Sequence, residues 1–180
     1  MHRLTATTSV TSMAEVYSVE IRPAAVADAE ALALLHVEVW EAAYRDLMPD
    51  QIFVDRRQTL TERAERWQAN INGGSSARTM VATHADRLIG FASVGPARDT
   101  DIAIPDEIWA LYVDAAYWGR GAGYALLTDA IGDRPAYLWV LKGNERATSF
   151  YRGHGFEFDG TIRTDAYGTE LRMARPHQQA

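Results

Sequence analysis

Apolar positions along the 180-residue chain fall into short alternating runs and longer, helically spaced ones. Across residues 17–22, Val19 and Ile21 alternate with Ser18, Glu20 and Arg22, the pattern of a short strand that Pro23 stops. Asp28 is placed to open a helix running to about Tyr44, with Leu32, Leu35 and Val39 on one stripe. Leu47-Met48-Pro49-Asp50 breaks that helix and lets a short second one begin. Arg56 to Asn70 then reads as one further amphipathic helix, ended by Asn72-Gly73-Gly74. Strands are expected at Thr79–Thr83 and Arg87–Val94, around the turn His84-Ala85-Asp86. A third is expected at Glu107–Val113, after a polar loop from Pro96 to Pro105. A glycine-rich turn, Trp118 to Gly123, leads into the helical run Tyr124–Ile131. Ala136–Leu141 is mostly apolar, as in a buried strand. Asn144 to about His154 reads as a helix with Gly155 just beyond it. Two last strands, about Phe156–Arg163 and Thr169–Arg175, meet near Ala166-Tyr167-Gly168. This order predicts one α/β domain with a mixed sheet over residues 18–176. Residues 1–17 are expected to be a disordered leader and 177–180 a tail.

Composition narrows the chemistry. Lys and Arg total 18 and Asp and Glu 24, a formal net charge of −6, which argues against a general nucleic-acid binder. The chain has no cysteine, so disulfides, cysteine-ligated zinc, iron–sulfur clusters and a thiolate nucleophile are all excluded. The five histidines have no metal-ligand spacing and no His-Glu-x-x-His occurs, so no metal is expected. No Gly-x-Ser-x-Gly elbow is present, which disfavours an α/β-hydrolase. No apolar run is long enough to span a membrane or serve as a signal peptide, so a cytoplasmic protein with no membrane partner is expected.

The glycine turn is the most informative local feature. A strand, a glycine-rich turn and a helix N-terminus together form an anion-binding arrangement, because the first helical N–H groups lack partners and the macrodipole is positive there. Arg120 adds a formal charge, although a tight turn needing positive φ would explain the glycines equally well. The dinucleotide fingerprint Gly-x-Gly-x-x-Gly fails, since Tyr124 or Leu126 stands at its last position, and no Gly-Lys-Ser or Gly-Lys-Thr follows.

Two longer stretches carry a family resemblance. Glu107 to Val113 followed by Trp118-Gly119-Arg120-Gly121-Ala122-Gly123-Tyr124 resembles motif A of the GCN5-related N-acetyltransferases, whose core is Gln/Arg-x-x-Gly-x-Gly/Ala. Gly121 and Gly123 match the two small positions, while Trp118 departs from the usual Gln or Arg. Asn144-Glu145-Arg146-Ala147-Thr148-Ser149-Phe150-Tyr151, continuing to Gly155-Phe156, resembles motif B, and residues 40–50 are similar to the family's acceptor-side helices. The resemblance covers about Val19 to Arg175. It implies a single-domain fold with a central mixed, mostly antiparallel sheet of about seven strands flanked by helices.

It also implies acetyl transfer from acetyl-CoA to a primary amine of a small molecule or peptide, by direct attack in a ternary complex. The alternatives are a non-catalytic acyl-CoA-binding sensor and an enzyme using a different acyl donor. The turn residues Trp118, Gly119, Arg120, Gly121, Ala122, Gly123 and Tyr124 are then expected to hold the CoA pyrophosphate. Leu111, Tyr112 and Val113, with Asn144, would meet the pantetheine arm, which binds where the strands Glu107–Val113 and Ala136–Leu141 splay. Asn144 is also well suited as a helix N-cap. Tyr151 is the implied proton donor to the departing thiolate, and a phenol is protonated at neutral pH. Glu107 is the implied general base, with Asp106 and Asp114 as rivals; a plain solvent-facing carboxylate is an equal alternative. His36, Trp40 and Tyr44 share one helix face and are candidates for an aromatic acceptor wall, although Trp40 suits a core ridge better. The acidic balance favours a cationic acceptor, and the resemblance is compatible with a homodimer.

Overall fold

The computed structural model describes residues 18–176; the expected leader over 1–17 and tail over 177–180 lie outside them. The first strand, β1, spans Glu20–Pro23. Helices α1 (Ala29–Tyr44), α2 (Asp50–Gln58) and α3 (Leu60–Ala69) follow. The single helix expected from Arg56 to Asn70 is in fact broken at Thr59, whose φ of −104° and ψ of 26° are not helical. Its hydroxyl donates to the carbonyl of Arg56 or Asp55, the local backbone competition that makes Thr a weak helix-interior residue.

Strands β2 (Arg78–His84) and β3 (Arg87–Pro96) form a hairpin whose two turn residues, Ala85 and Asp86, both have positive φ. Strand β4 is Asp106–Val113, helix α4 is Ala122–Ile131, and β5 is Ala136–Leu141. Helix α5 covers Glu145–Arg152, two residues short of the expected His154, because Gly155 with φ +82° closes the turn behind it. Strands β6 (Glu157–Asp165) and β7 (Gly168–Arg175) complete the chain.

All seven strands belong to one sheet in the order β1-β2-β3-β4-β5-β7-β6. Every neighbouring pair is antiparallel except β4 and β5. One face packs on α4 and α5 through Leu126, Leu127, Ile131, Leu138 and Phe156. The other packs on α1 and α3 through Leu32, Leu35, Val39, Val81 and Phe91. Such burial of several large apolar side chains, at about 1.5–3 kcal/mol each, drives the closure of both layers.

Two features of β4 set up the site. The parallel pairing with β5 consists of Glu107 opposite Tyr137 and Ile108 opposite Leu138, after which the strands part. At the same place β4 carries a bulge: Ile108 pairs with Val94 and Ala110 with Ser93, so Trp109 has no partner on β3. The indole of Trp109 lies against Gly95, where an added Cβ would sit 2.7 Å from the ring.

The last paired position is fixed by a buried network. Glu107 is 1% exposed, and its Oε2 accepts from Arg98 Nε at 2.9 Å and from the Tyr137 hydroxyl at 3.0 Å. The Tyr137 oxygen in turn accepts the backbone N–H groups of Arg98 and Asp99, both at 3.0 Å. The loop is pinned again by Arg172, 4% exposed, whose guanidinium donates to Asp99, Asp101 and Asp159. Burial pushes the Glu107 carboxyl up, but the hydrogen bond and charge of Arg98 outweigh it and hold the group below its ordinary value.

Two outcomes are expected. The folded carboxyl of Glu107 titrates lower than an unfolded one (about 4.3), so its stabilisation is complete above that pH and fades as the pH falls through the lowered value. Glu107→Gln is therefore expected to lose about 1–3 kcal/mol at pH 7, with the difference from the parent shrinking as the pH is lowered through the acid range, measured by a urea-unfolding series in pH. Gly90→Ala would place a methyl 2.8 Å from the Tyr112 carbonyl and 3.1 Å from Leu126, with backbone that cannot give way. It is expected to cost about 1–3 kcal/mol in the same assay.

Candidate functional site

Where β4 and β5 part, a cleft of about 400 Å³ opens. Its lining is drawn from β4 between Ile108 and Val113, the turn before α4, α5, and the last turns of α1. Past Ile108 no strand among the described residues pairs with the β5 side of β4, so alternate backbone N–H and C=O groups over residues 109–113 face the opening. Leu111, Tyr112 and Val113 all line it, and the Val113 carbonyl is engaged by Trp118 Nε1 at 2.7 Å.

The glycine turn meets the cleft with Trp118, Gly119, Gly121, Gly123 and Tyr124. Gly119 and Gly121 have φ of 71° and 89°, the left-handed region that side chains strain to enter. Gly121 is the N-cap of α4, and no side-chain hydrogen bond caps that helix. The first N–H groups of α4 thus stand uncapped at the positive end of the helix dipole. Arg120 is exposed, 5.9 Å from the Tyr117 ring centre, and does not line the cleft; neither does Ala122, which is buried beneath the turn. Trp118 is held from the other side by Arg146, whose guanidinium lies 3.1 Å from its ring centre.

Tyr151 projects from α5 into the same cleft, 7% exposed, with Phe150 and Phe156 at ring distances of 5.2 and 5.6 Å. Burial, and then nearby Tyr44, raise its pKa, so the phenol keeps its proton at neutral pH. Asn144 lines the cleft and also caps α5, its side-chain oxygen accepting from the Ala147 N–H at 3.1 Å.

The three candidate acceptor residues do share a helix face, but they separate in space. Tyr44 lines the cleft, its hydroxyl 3.1 Å from that of Tyr112. Trp40 is 8% exposed and packs among Tyr44, Phe53 and Tyr167 as a core residue. His36 lies between Trp67, Phe91 and Tyr112 and lines a second cavity instead.

The carboxylates do not reach the cleft. Glu107 is locked to Arg98 and Tyr137, Asp106 pairs with Arg134 at 3.3 Å, and Asp114 pairs with Arg87 and caps a short turn through Ala116. None of the three is among the lining residues. Reading the sequence missed Trp109, Arg146 and His154, which do line it. Trp109 carries no sequence signal, because the bulge that turns it is set by its opposite strand. Arg146, two residues past Asn144, is on the opposite side of the helical turn, and His154 lies beyond the end of α5, so the helical period places neither. Among the described residues no cluster of three or more His, Cys, Asp or Glu could hold a metal ion, and no helix is long and apolar enough to cross a membrane.

Comparison with known proteins places this architecture. The uncharacterized N-acetyltransferase YuaI of Bacillus subtilis is 26% identical over 162 residues, covering 86% of this chain and 89% of that protein. Among solved structures, the PaiA N-acetyltransferase of Thermoplasma acidophilum in complex with coenzyme A superposes with a TM-score of 0.68 at 22% identity, over 86% of this chain and 98% of that one. A structure described as histone acetyltransferase HPA2 and related acetyltransferase, from Corynebacterium glutamicum, gives 0.67 at 22% identity over 91% and 98%. These two share the fold of the seven-stranded sheet and its flanking helices. Residues 40–156, which hold the parting strands, the glycine turn and α5, match the sequence profile of the Acetyltransferase (GNAT) family, and the chain belongs to that family.

Proposed function

We propose that the protein transfers the acetyl group of acetyl-CoA to a primary amine, by direct attack within a ternary complex. The observation that carries this reading is the meeting, in one cleft, of an uncapped helix N-terminus, an unpaired stretch of β4 backbone and the protonated phenol of Tyr151. The uncapped N–H groups of α4 suit a pyrophosphate, and the free edge of β4 suits an amide-bearing arm that adds to the sheet like a strand. The coenzyme A bound by the PaiA relative supports the same choice of donor.

In this reading the amine nitrogen attacks the thioester carbonyl carbon, the carbon–sulfur bond breaks, and the sulfur takes the proton of the Tyr151 hydroxyl. The nitrogen sheds its own proton to water, since no carboxylate lines the cleft, and the Tyr151 phenolate takes a proton back from water before the next turnover. Glu107 holds the point where β4 leaves β5 and has no part in proton transfer. With no cysteine in the chain, the acetyl group has no thiol on which to pause.

Tyr151→Phe is expected to lower kcat about 100-fold or more in a thiol-release assay over an amine panel. The same variant should keep the thermal stabilisation that acetyl-CoA gives the parent protein. Equal inertness of parent and variant, with CoA binding intact in both, would point to a non-catalytic acyl-CoA sensor. Turnover restored only by a longer acyl-CoA would change the donor and keep the mechanism.

A further inference from the structure

A second cavity of about 310 Å³ lies on the α1–α3 face of the sheet. Its base is a row across three strands: Thr79 on β2 pairs with Ser93 on β3, and Ser93 pairs with Ala110 on β4. The Thr79 and Ser93 hydroxyls lie 2.8 Å apart. One wall is a single face of α3, where Arg63, Arg66, Trp67 and Asn70 follow the helical period. Trp109 and Ala110 line this cavity and the first cleft alike, so the two spaces meet at the bulge of β4.

The charge here is of one sign. No carboxylate lines the cavity, and among the described residues neither Arg63 nor Arg66 forms an ion pair, whereas nine other arginines do. Arg63 Nε donates to the Arg56 carbonyl and to Thr59 Oγ1, both at 3.2 Å, and its terminal nitrogens have no protein acceptor among the described residues. Arg56 stands close behind, also without an ion pair, its guanidinium 3.9 Å from the Trp40 ring centre and its Nε buried with no hydrogen-bond partner. Burial, and then the neighbouring cations, lower both Arg56 and Arg63. Burial, followed by the charges of Arg56, Arg63 and Arg66, holds His36 down to about 3, so His36 is neutral at physiological pH. Exposed Glu62, next to Arg63, is the opposing charge, and it is outside the lining. Three mutually repelling guanidinium groups without acidic partners are a destabilising arrangement that an anion would relieve, and the Arg fork matches a carboxylate or phosphate.

We propose that this cavity is the acceptor subsite, and that the amine it takes carries an anionic group, a carboxylate or a phosphate monoester, bound by Arg63 and Arg66 with the amine directed to the β4 bulge. The proposal rests on the acetyl-transfer reading above. It sets the local charge of the cavity against the overall charge of −6, and it selects against polyamines.

The test pairs each anionic amine with a neutral counterpart: α-amino acids with their amides, and amino-sugar phosphates with the free amino sugars; spermidine is included. With acetyl-CoA as donor, at least one anionic member should exceed its partner about 100-fold in kcat/KM. Which pair shows the effect separates carboxylate from phosphate. The double variant Arg63→Gln/Arg66→Gln should cut that ratio at least about tenfold, with acetyl-CoA affinity unchanged and the protein still folded by its thermal transition. Preference for neutral amines or spermidine, or a ratio unmoved by the double variant, would overturn the proposal.

A second measurement does not depend on turnover. Inorganic phosphate titrated into the CoA-saturated protein should shift the Trp67 and Trp109 indole N–H signals in NMR, and the double variant should abolish the shift. An absence of saturable shifts in the parent protein would also overturn the proposal. Phosphate binding with no amine acetylated would overturn the acetyl-transfer reading while keeping the anion site; turnover confined to neutral amines would do the reverse.

Discussion

Two residue pairs, Glu107 with Tyr137 and Ile108 with Leu138, hold β4 to β5, and everything functional depends on the pairing stopping there. A sheet that continued to pair would satisfy its own backbone and leave no room between the strands. The extra residue at Trp109 turns the following backbone and shifts which side chains of β4 face each layer. Ile108 joins the α4 side, whereas Ala110 and Tyr112 join the α1–α3 side. The same bulge thus opens the cleft and borders the cavity behind it.

Rigidity at that fork comes from polar groups as well as apolar ones. Glu107, Arg98 and Tyr137 tie the last paired residues to the loop after β3, and Arg172 ties the same loop to β6. A buried carboxylate with both partners in place is inexpensive to keep and costly to disrupt, since removing one partner leaves the others unsatisfied. A site whose reacting groups must be held to within about half an ångström gains from support of this kind.

Much of this was legible in the sequence. Alternation in residues 107–113 and 136–141, the glycines at 119, 121 and 123, and Asn144 as a cap each follow from local rules, and the structure reproduces those elements with small changes of boundary. Local rules failed where partners are distant. Nothing near Glu107 in sequence announces Arg98 and Tyr137, whose hydrogen bonds hold its carboxylate away from the cleft. The shared helix face of His36, Trp40 and Tyr44 was readable, but their division among a cavity, the core and the cleft depends on β4, α3 and the β6–β7 turn. Net charge carries no such local information: −6 is a sum over the chain, whereas Arg63 and Arg66 face one cavity.

An acyl-CoA lying along the freed edge of β4, with its phosphates on the turn before α4, would be seen by backbone amide NMR during titration with acetyl-CoA. Saturable shifts are expected to concentrate at Leu111, Val113 and Gly119 to Tyr124, with smaller changes at Asn144 and Tyr151. Saturable shifts centred elsewhere on the sheet, or no saturable shifts at all, would contradict that placement.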